Sequence, residues 1–417
     1  MPLISRTTTK ALRTLHLGCA AVLLVAHAAG AQQPAGPVSR VEAIAAAAAR
    51  GPRLAIARAD TLASSALLQT ARQWQNPSLS ASYSKSVPRY HYAVELPLDL
   101  PYLRGPRIGS ATAAQRAARY RFAYEQASVT MEADTTYTRA LAARAFAELS
   151  MRNARDADSL RKMAAARRDA GDASDMDVAL ATVTAGQAAN QATTDSVAYV
   201  SSLLDLQAVM GLDAHQVVIA LSDSLTGPPA QPFTARTEGT LLPVAAASAQ
   251  LESASLAVQL EHRNVLGAPS LMLGVETGDP TGGEPGRLPT FGLSLPIPLL
   301  NRNRGPIALA RADEARARAE LAFAQVMSRT ELARAEREQS AALAKVGRDQ
   351  RLVEQANRVA AMAMTAYREG AASLPNALEA QRTARELLAQ YVADLADAWI
   401  ADAELRVLTL TAAPKVP

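Results

Sequence analysis

The chain has 417 residues, with 43 Lys plus Arg against 39 Asp plus Glu, one cysteine and only 4% aromatic residues. So near a balance of charge argues against a nucleic-acid partner, whose recognition calls for a basic surplus. A single cysteine excludes a disulfide framework, and abundant alanine with few aromatics suits long, closely packed helices better than a pocketed enzyme.

Arg6, Lys10 and Arg13 precede an apolar run from Leu17 to Ala28, and Ala29, Gly30 and Ala31 follow before Gln32. A basic n-region, a short apolar h-region and a small-x-small site read as a secretory signal over residues 1–31, cleaved after Ala31. The run is too short for a transmembrane helix. Cys19 follows Gly18 as at a lipoprotein site, but His16 stands where a bulky apolar residue is expected. Most of the apolar run also lies after the cysteine, which argues against lipidation. Removing this leader leaves 40 basic against 39 acidic residues and no cysteine, suited to an oxidising compartment without disulfides.

The chain then repeats its own plan. Arg104-Gly105-Pro106 recurs as Arg304-Gly305-Pro306, and the sequence around Gly171 recurs around Gly370, Ala170 to Ser174 matching Glu369 to Ser373. The spacing is far longer than that of solenoid repeats, so two half-chains are expected, 32–235 and 236–417.

Each half opens with two strands, expected at about 77–86 and 90–100, and at about 269–277 and 289–297. Leu79, Ala81 and Tyr83 alternate with serines. Tyr90, Tyr92, Val94 and Leu96 alternate with His91, Ala93 and Glu95. In the second half Leu271, Leu273 and Val275 alternate with Met272, Gly274 and Glu276, and Phe291, Leu293, Leu295 and Ile297 with small or polar residues. Such period-two patterns fit transmembrane β-strands, or soluble hairpins packed on helices. Trp74, Tyr83, Tyr90, Tyr92 and Tyr102 crowd one window of an aromatic-poor chain, as interfacial anchors would. Four strands cannot close a barrel in lipid, so a membrane reading requires several copies, three giving about twelve strands.

A long helical hairpin follows each strand pair, expected over about 106–211 and 306–410. From Pro106 to Arg168 there is one glycine and no further proline; from Pro306 to Glu369 the same holds. Some 60 helical residues span about 90 Å, so these helices must pack on neighbours along their length.

Signal peptide, strand pairs and tandem long hairpins together resemble the TolC-type outer-membrane efflux family over nearly the whole mature chain. The segment Leu295-Pro296-Ile297-Pro298-Leu299-Leu300-Asn301-Arg302-Asn303-Arg304-Gly305-Pro306-Ile307 is similar to its counterpart in the heavy-metal branch, the CzcC- and CusC-like proteins. The turn Tyr367-Arg368-Glu369-Gly370-Ala371-Ala372-Ser373, echoed by Arg168 to Ser174, is the second motif. The resemblance implies a homotrimer, mostly α with a β-barrel portion: a transmembrane barrel in the outer membrane and an α-helical barrel in the periplasm. It implies as partners a periplasmic adaptor and an inner-membrane transporter of the RND class, and as cargo small molecules or metal ions. No Gly-rich Lys-Ser/Thr phosphate loop is present that could supply energy.

In that family the turns form the periplasmic tip and meet the adaptor, which nominates Gly171, Ser174, Arg368, Gly370 and Ser373. Acidic residues just beyond the turns ring the constriction, which nominates Asp177, Asn376 and Glu379, although Asn376 and Pro375 depart from the usual pattern. Structural roles account for the same residues: glycine for a positive-φ turn, Ser174 to Asp177 and Ser373 to Asn376 for capping the return helices, Arg368 for the helix dipole. His91, His215 and His262 have no neighbours at ligand spacing, so no metal site is expected; no catalytic constellation and no cofactor motif is found. The competing reading is a periplasmic coiled-coil adaptor or structural protein. An adaptor would carry one central hairpin with its β-structure outside any duplication.

Overall fold

The computed structural model describes residues 37–213, 219–227, 239–278 and 286–412. The leader with Cys19, and His215, lie outside the described residues. In chain order the elements are α1 (Arg40–Arg50), α2 (Pro52–Arg72), β1 (Ser78–Tyr83), β2 (Tyr90–Pro97), α3 (Pro101–Asp169), α4 (Asp175–Val209) and α5 (Leu242–Arg263), then β3 (Ser270–Thr277), β4 (Leu288–Ser294), α6 (Arg304–Arg368) and α7 (Leu374–Leu408). Among the described residues no helix is long and apolar enough to cross a membrane.

The four strands form one antiparallel sheet in the order β1-β2-β3-β4, leaving β1 and β4 as open edges. Its register puts Ser82, His91 and Glu276 on one face, with Ala93, Gly274 and Thr290 further along. Leu79, Tyr83, Tyr90, Tyr92, Val94, Leu273, Val275, Phe291 and Leu293 occupy the other. Successive side chains alternate sides, so the sequence pattern becomes one polar and one apolar face. Most of that apolar face is uncovered, with Phe291 80% and Leu79 76% exposed.

Helices α2 to α7 form a single layer, and α1 packs on α3. α3 has 69 residues and α6 has 65, each about 100 Å long. α4 and α7 have 35 residues each and return only about halfway. α2 and α5 fill the remaining length. Gly211, just beyond α4, lies so close to Arg50 at the α1–α2 junction that an added Cβ would meet its carbonyl oxygen at 2.7 Å. Likewise Leu242 at the start of α5 donates to the Leu410 carbonyl beyond α7 (3.1 Å). Each long helix is therefore flanked by two shorter ones meeting end to end. Across the layer the order is α4/α2, α3, α7/α5, α6.

Alanine dominates the interior: Ala43, Ala117, Ala133, Ala140, Ala164, Ala377 and Ala398 are fully buried, letting helix backbones approach closely. The main apolar cluster sits mid-length, where Val38, Tyr137, Leu141, Leu206 and Met210 meet Leu221. There Tyr137 donates to Asp223 (2.8 Å), and burial together with that carboxylate pushes its hydroxyl up to about 12. Large apolar side chains left exposed on helices lie mainly on the edge elements: Ile56, Leu62 and Leu67 on α2, Val183 and Val197 on α4, Leu309, Phe323 and Val326 on α6. Among the described residues α5 and α7 present none.

Three features depart from the expected plan. α3 starts at Pro101, before Pro106, and runs through that proline. A proline ring removes the N–H that would serve the carbonyl four residues back, here that of Tyr102. Arg263 donates to this carbonyl instead (2.6 Å), so the helix continues. β2 and β4 end at Pro97 and Ser294, short of 100 and 297: Leu98 makes a last in-register bond to the Pro269 carbonyl, and Pro269, Pro296 and Pro298 cannot donate to a ladder. α1, α2 and α5 are further helices that fill out each half.

Candidate functional site

The two interhelical turns lie together at the end of the helical layer remote from the sheet. Each has the same backbone: a last helical residue in αR, a glycine at positive φ (Gly171 +86°, Gly370 +78°), and an extended N-cap. Glycine alone adopts that φ without strain. The turns pack on each other through Leu160, Ala164, Ala181, Tyr367, Leu374 and Ala377.

Their side chains differ. Ser174 accepts from the Asp177 backbone N–H (3.1 Å), while the Asp177 carboxylate accepts from the Ser174 N–H (3.1 Å) and hydroxyl (2.9 Å). Asp177 is thus engaged in a complete capping box. Ser373 stands at the matching N-cap but its side chain caps nothing. Proline at 375 removes one donor, and Asn376 replaces the acid that would reach back. The expectation of side-chain capping at Ser373 is thereby corrected.

Asn376 and Glu379 are exposed on the first turns of α7. Glu379 is held by Arg382 (2.8 and 3.0 Å), which keeps its carboxyl below the usual range, and Arg382 also binds Glu386 (3.0 Å). Glu379 and Arg382 line a cleft of about 530 Å³ between α4 and α7 with Leu180, Thr184 and Pro375. Arg368 is exposed in the last turn of α6, whereas its counterpart Arg168 pairs with Asp169 (2.6 Å) and Asp175 (3.7 Å).

Sequence reasoning missed Arg167. It donates to the Tyr367 carbonyl (2.7 Å), which also accepts from the Gly370 N–H (3.1 Å), and its guanidinium lies 5.0 Å from the Tyr367 ring centroid. One side chain of the first hairpin thus ties down the turn of the second.

At the other end, the aromatic residues fall at two levels of the sheet. Tyr83 and Tyr90 meet at the far ends of β1 and β2 with tilted rings, centroids 5.5 Å apart, and Tyr92 lies just below. Trp74 and Tyr102 flank the helical end. Trp74 lies under the Arg104 guanidinium (4.4 Å), and the Tyr102 hydroxyl donates to the Gly267 carbonyl (3.1 Å). Arg104, from the first Arg-Gly-Pro motif, and Arg107 both bind Asp99 (2.8 and 2.6 Å). Despite burial, these two hydrogen bonds hold the Asp99 carboxyl below its usual range. Strands of six to eight residues span about 20–26 Å along their own axes. Among the described residues no group of three or more His, Cys, Asp or Glu could hold a metal ion.

No protein-family model and no curated protein sequence matches this chain. Solved structures do. A membrane protein from Pseudomonas aeruginosa is 18% identical at a TM-score of 0.75, over 89% of this chain and 93% of that one. The outer membrane protein VceC from Vibrio cholerae is 16% identical at 0.74, over 89% and 96%. CusC, described for its transmembrane channel formation, is 15% identical at 0.73, over 92% and 96%. A sheet with two open edges, set on a layer of helices two of which are about 100 Å long, is thus the fold of TolC-type outer-membrane channels, and it is the fold of this chain.

Proposed function

We propose that the chain is one subunit of a passive outer-membrane conduit. In this reading three copies close into a barrel of about twelve strands above a periplasmic helical barrel, and export small molecules or metal ions delivered by an inner-membrane transporter of the RND class through a periplasmic adaptor. One observation carries it. Both layers of the subunit are open at both edges, and the apolar side chains left uncovered on its helices lie mainly on those edge elements. A β-edge in lipid must be paired, so β1 of one copy meets β4 of the next, and α2 meets α6 in the same step. Head-to-tail contacts of this kind make a ring when the rotation between copies closes, as a three-copy barrel requires. The tip turns, with Gly171, Ser174, Arg368, Gly370 and Ser373, then face the adaptor, and Asp177, Asn376 and Glu379 lie near the constriction.

Light scattering with negative-stain imaging of the detergent-solubilised chain tests this. A trimeric hollow cylinder with heat-modifiable migration is expected, and Phe323→Glu with Val326→Glu should leave monomers. A monomer soluble without detergent would sink the proposal.

A further inference from the structure

The polar face of the sheet is sparsely furnished. At one level the imidazole of His91 on β2 lies 3.2 Å (Nδ1 to Oε1) from Glu276 on β3, with its Nε2 3.4 Å from the Ser84 hydroxyl. Four residues along β2, Glu95 accepts from the Ser270 hydroxyl of β3. Between these levels the wall is built of Ser80, Ala93, Gly274 and Thr290. At Gly274 even a Cβ would meet the Thr290 hydroxyl at 2.4 Å, so this stretch stays bare. No lysine or arginine stands on this face within the four strands. The basic residues nearby, Lys85, Arg89 and Arg287, belong to the connections beyond the strand ends. Across from His91, β1 offers only Ser82.

An apolar face directed at lipid sends this polar face into the lumen. We infer that Glu95 and Glu276 make the strand-built section of the conduit prefer cations, with His91 and Ser270 as the side chains that hold the two carboxylates in place. The inference rests on the channel reading above. It narrows the cargo that passes freely to cationic or neutral solutes. Repetition around the ring turns each carboxylate into a belt of like charge over bare wall, the nearest basic residues being Lys85, Arg89 and Arg287 beyond the strand ends.

Planar-bilayer recording on the purified full chain tests this, through the reversal potential in a KCl gradient. The measurement belongs at low salt, since screening lengths of about 30 Å at 0.01 M let wall charges act across a wide lumen. The wild type should favour potassium. Glu95→Gln with Glu276→Gln should lower the cation-to-anion ratio about two- to threefold, and Ser80→Lys, which leaves the His91–Glu276 pair intact, should lower it as well. His91→Gln, which removes neither carboxylate, should keep the preference. Normal conductance with unaltered selectivity in both the double variant and Ser80→Lys would overturn the inference while leaving the channel intact. Absence of any conductance in the wild type would overturn the channel reading itself.

Discussion

The two helical hairpins share a backbone and differ in what holds it. The α3–α4 turn is self-sufficient: its N-cap serine and N3 aspartate close on each other, and Arg168 binds acids on both sides of the turn. The α6–α7 turn has no side-chain cap and borrows Arg167 from its neighbour. Duplicated geometry therefore does not mean duplicated support. The second turn keeps the same backbone bonds as the first and takes its one side-chain support from the neighbouring hairpin.

Breaking both turns alike should have the largest effect. Gly171→Val and Gly370→Val each force a branched residue to positive φ, at a cost of about 1–3 kcal/mol. Chemical denaturation should give similar losses for the two, since the backbone is common to both. Arg167→Ala should separate them. Loss of a charge-assisted hydrogen bond and a cation–π contact, about 1–2 kcal/mol together, should raise amide exchange around Ala366 to Leu374 and leave Gly171 to Asp177 protected. Equal deprotection of both turns would show that the tip is one cooperative unit.

Smaller still is the contrast between the N-caps. Ser174→Ala should cost about 1 kcal/mol, and Ser373→Ala no more than a few tenths, because only the first makes a cap bond. Thermal melts of the two variants side by side would reveal it.

The smallest effect concerns pH. In the second hairpin Asp349 lies against buried Asp394. The bond to Asp394 holds the Asp349 carboxyl above its usual value. Burial pushes Asp394 up as well, but the hydrogen bonds from Asp349, Gln390 and Lys345 leave it lowered. A raised folded-state value favours the protonated form. The Asp349 contribution is therefore complete below the ordinary carboxylate range and is lost as pH rises through the raised value toward neutrality. Asp349→Asn should stabilise the second hairpin at neutral pH and flatten this part of the stability profile, read from melts between about pH 4 and 7.

Much of this was legible in the sequence because it is local. The serine and leucine alternation around Leu79, the glycines at 171 and 370 and the long proline-free runs each specify conformation within a few residues. Arg167 was not legible, because its partner Tyr367 lies 200 residues away and an arginine in a last helical turn already has a sufficient local explanation. Arg263 escaped for the same reason: only contact across the fold shows that it rescues the carbonyl freed by Pro106. The uncovered edges are likewise a property of the assembled layer, since Phe323 on α6 and buried Val353 on the same helix look alike in a string. The candidate site divides in the same way. Its turn positions were readable, whereas the unequal engagement of Asp177 and Glu379 needed coordinates.

The butt joints between α4 and α2, and between α7 and α5, have a mechanical consequence. A laminated beam with one continuous ply beside a spliced ply bends as a whole yet slips at its splice. Axial compression passes through such a joint, since the helix ends abut at Gly211 and Leu242, whereas torque passes only through hydrogen bonds and side packing, because the covalent backbone is interrupted there. A twist applied to α4 or α7 at the tip is therefore absorbed at mid-length, while α3 and α6 carry load undivided from the turns to the strands.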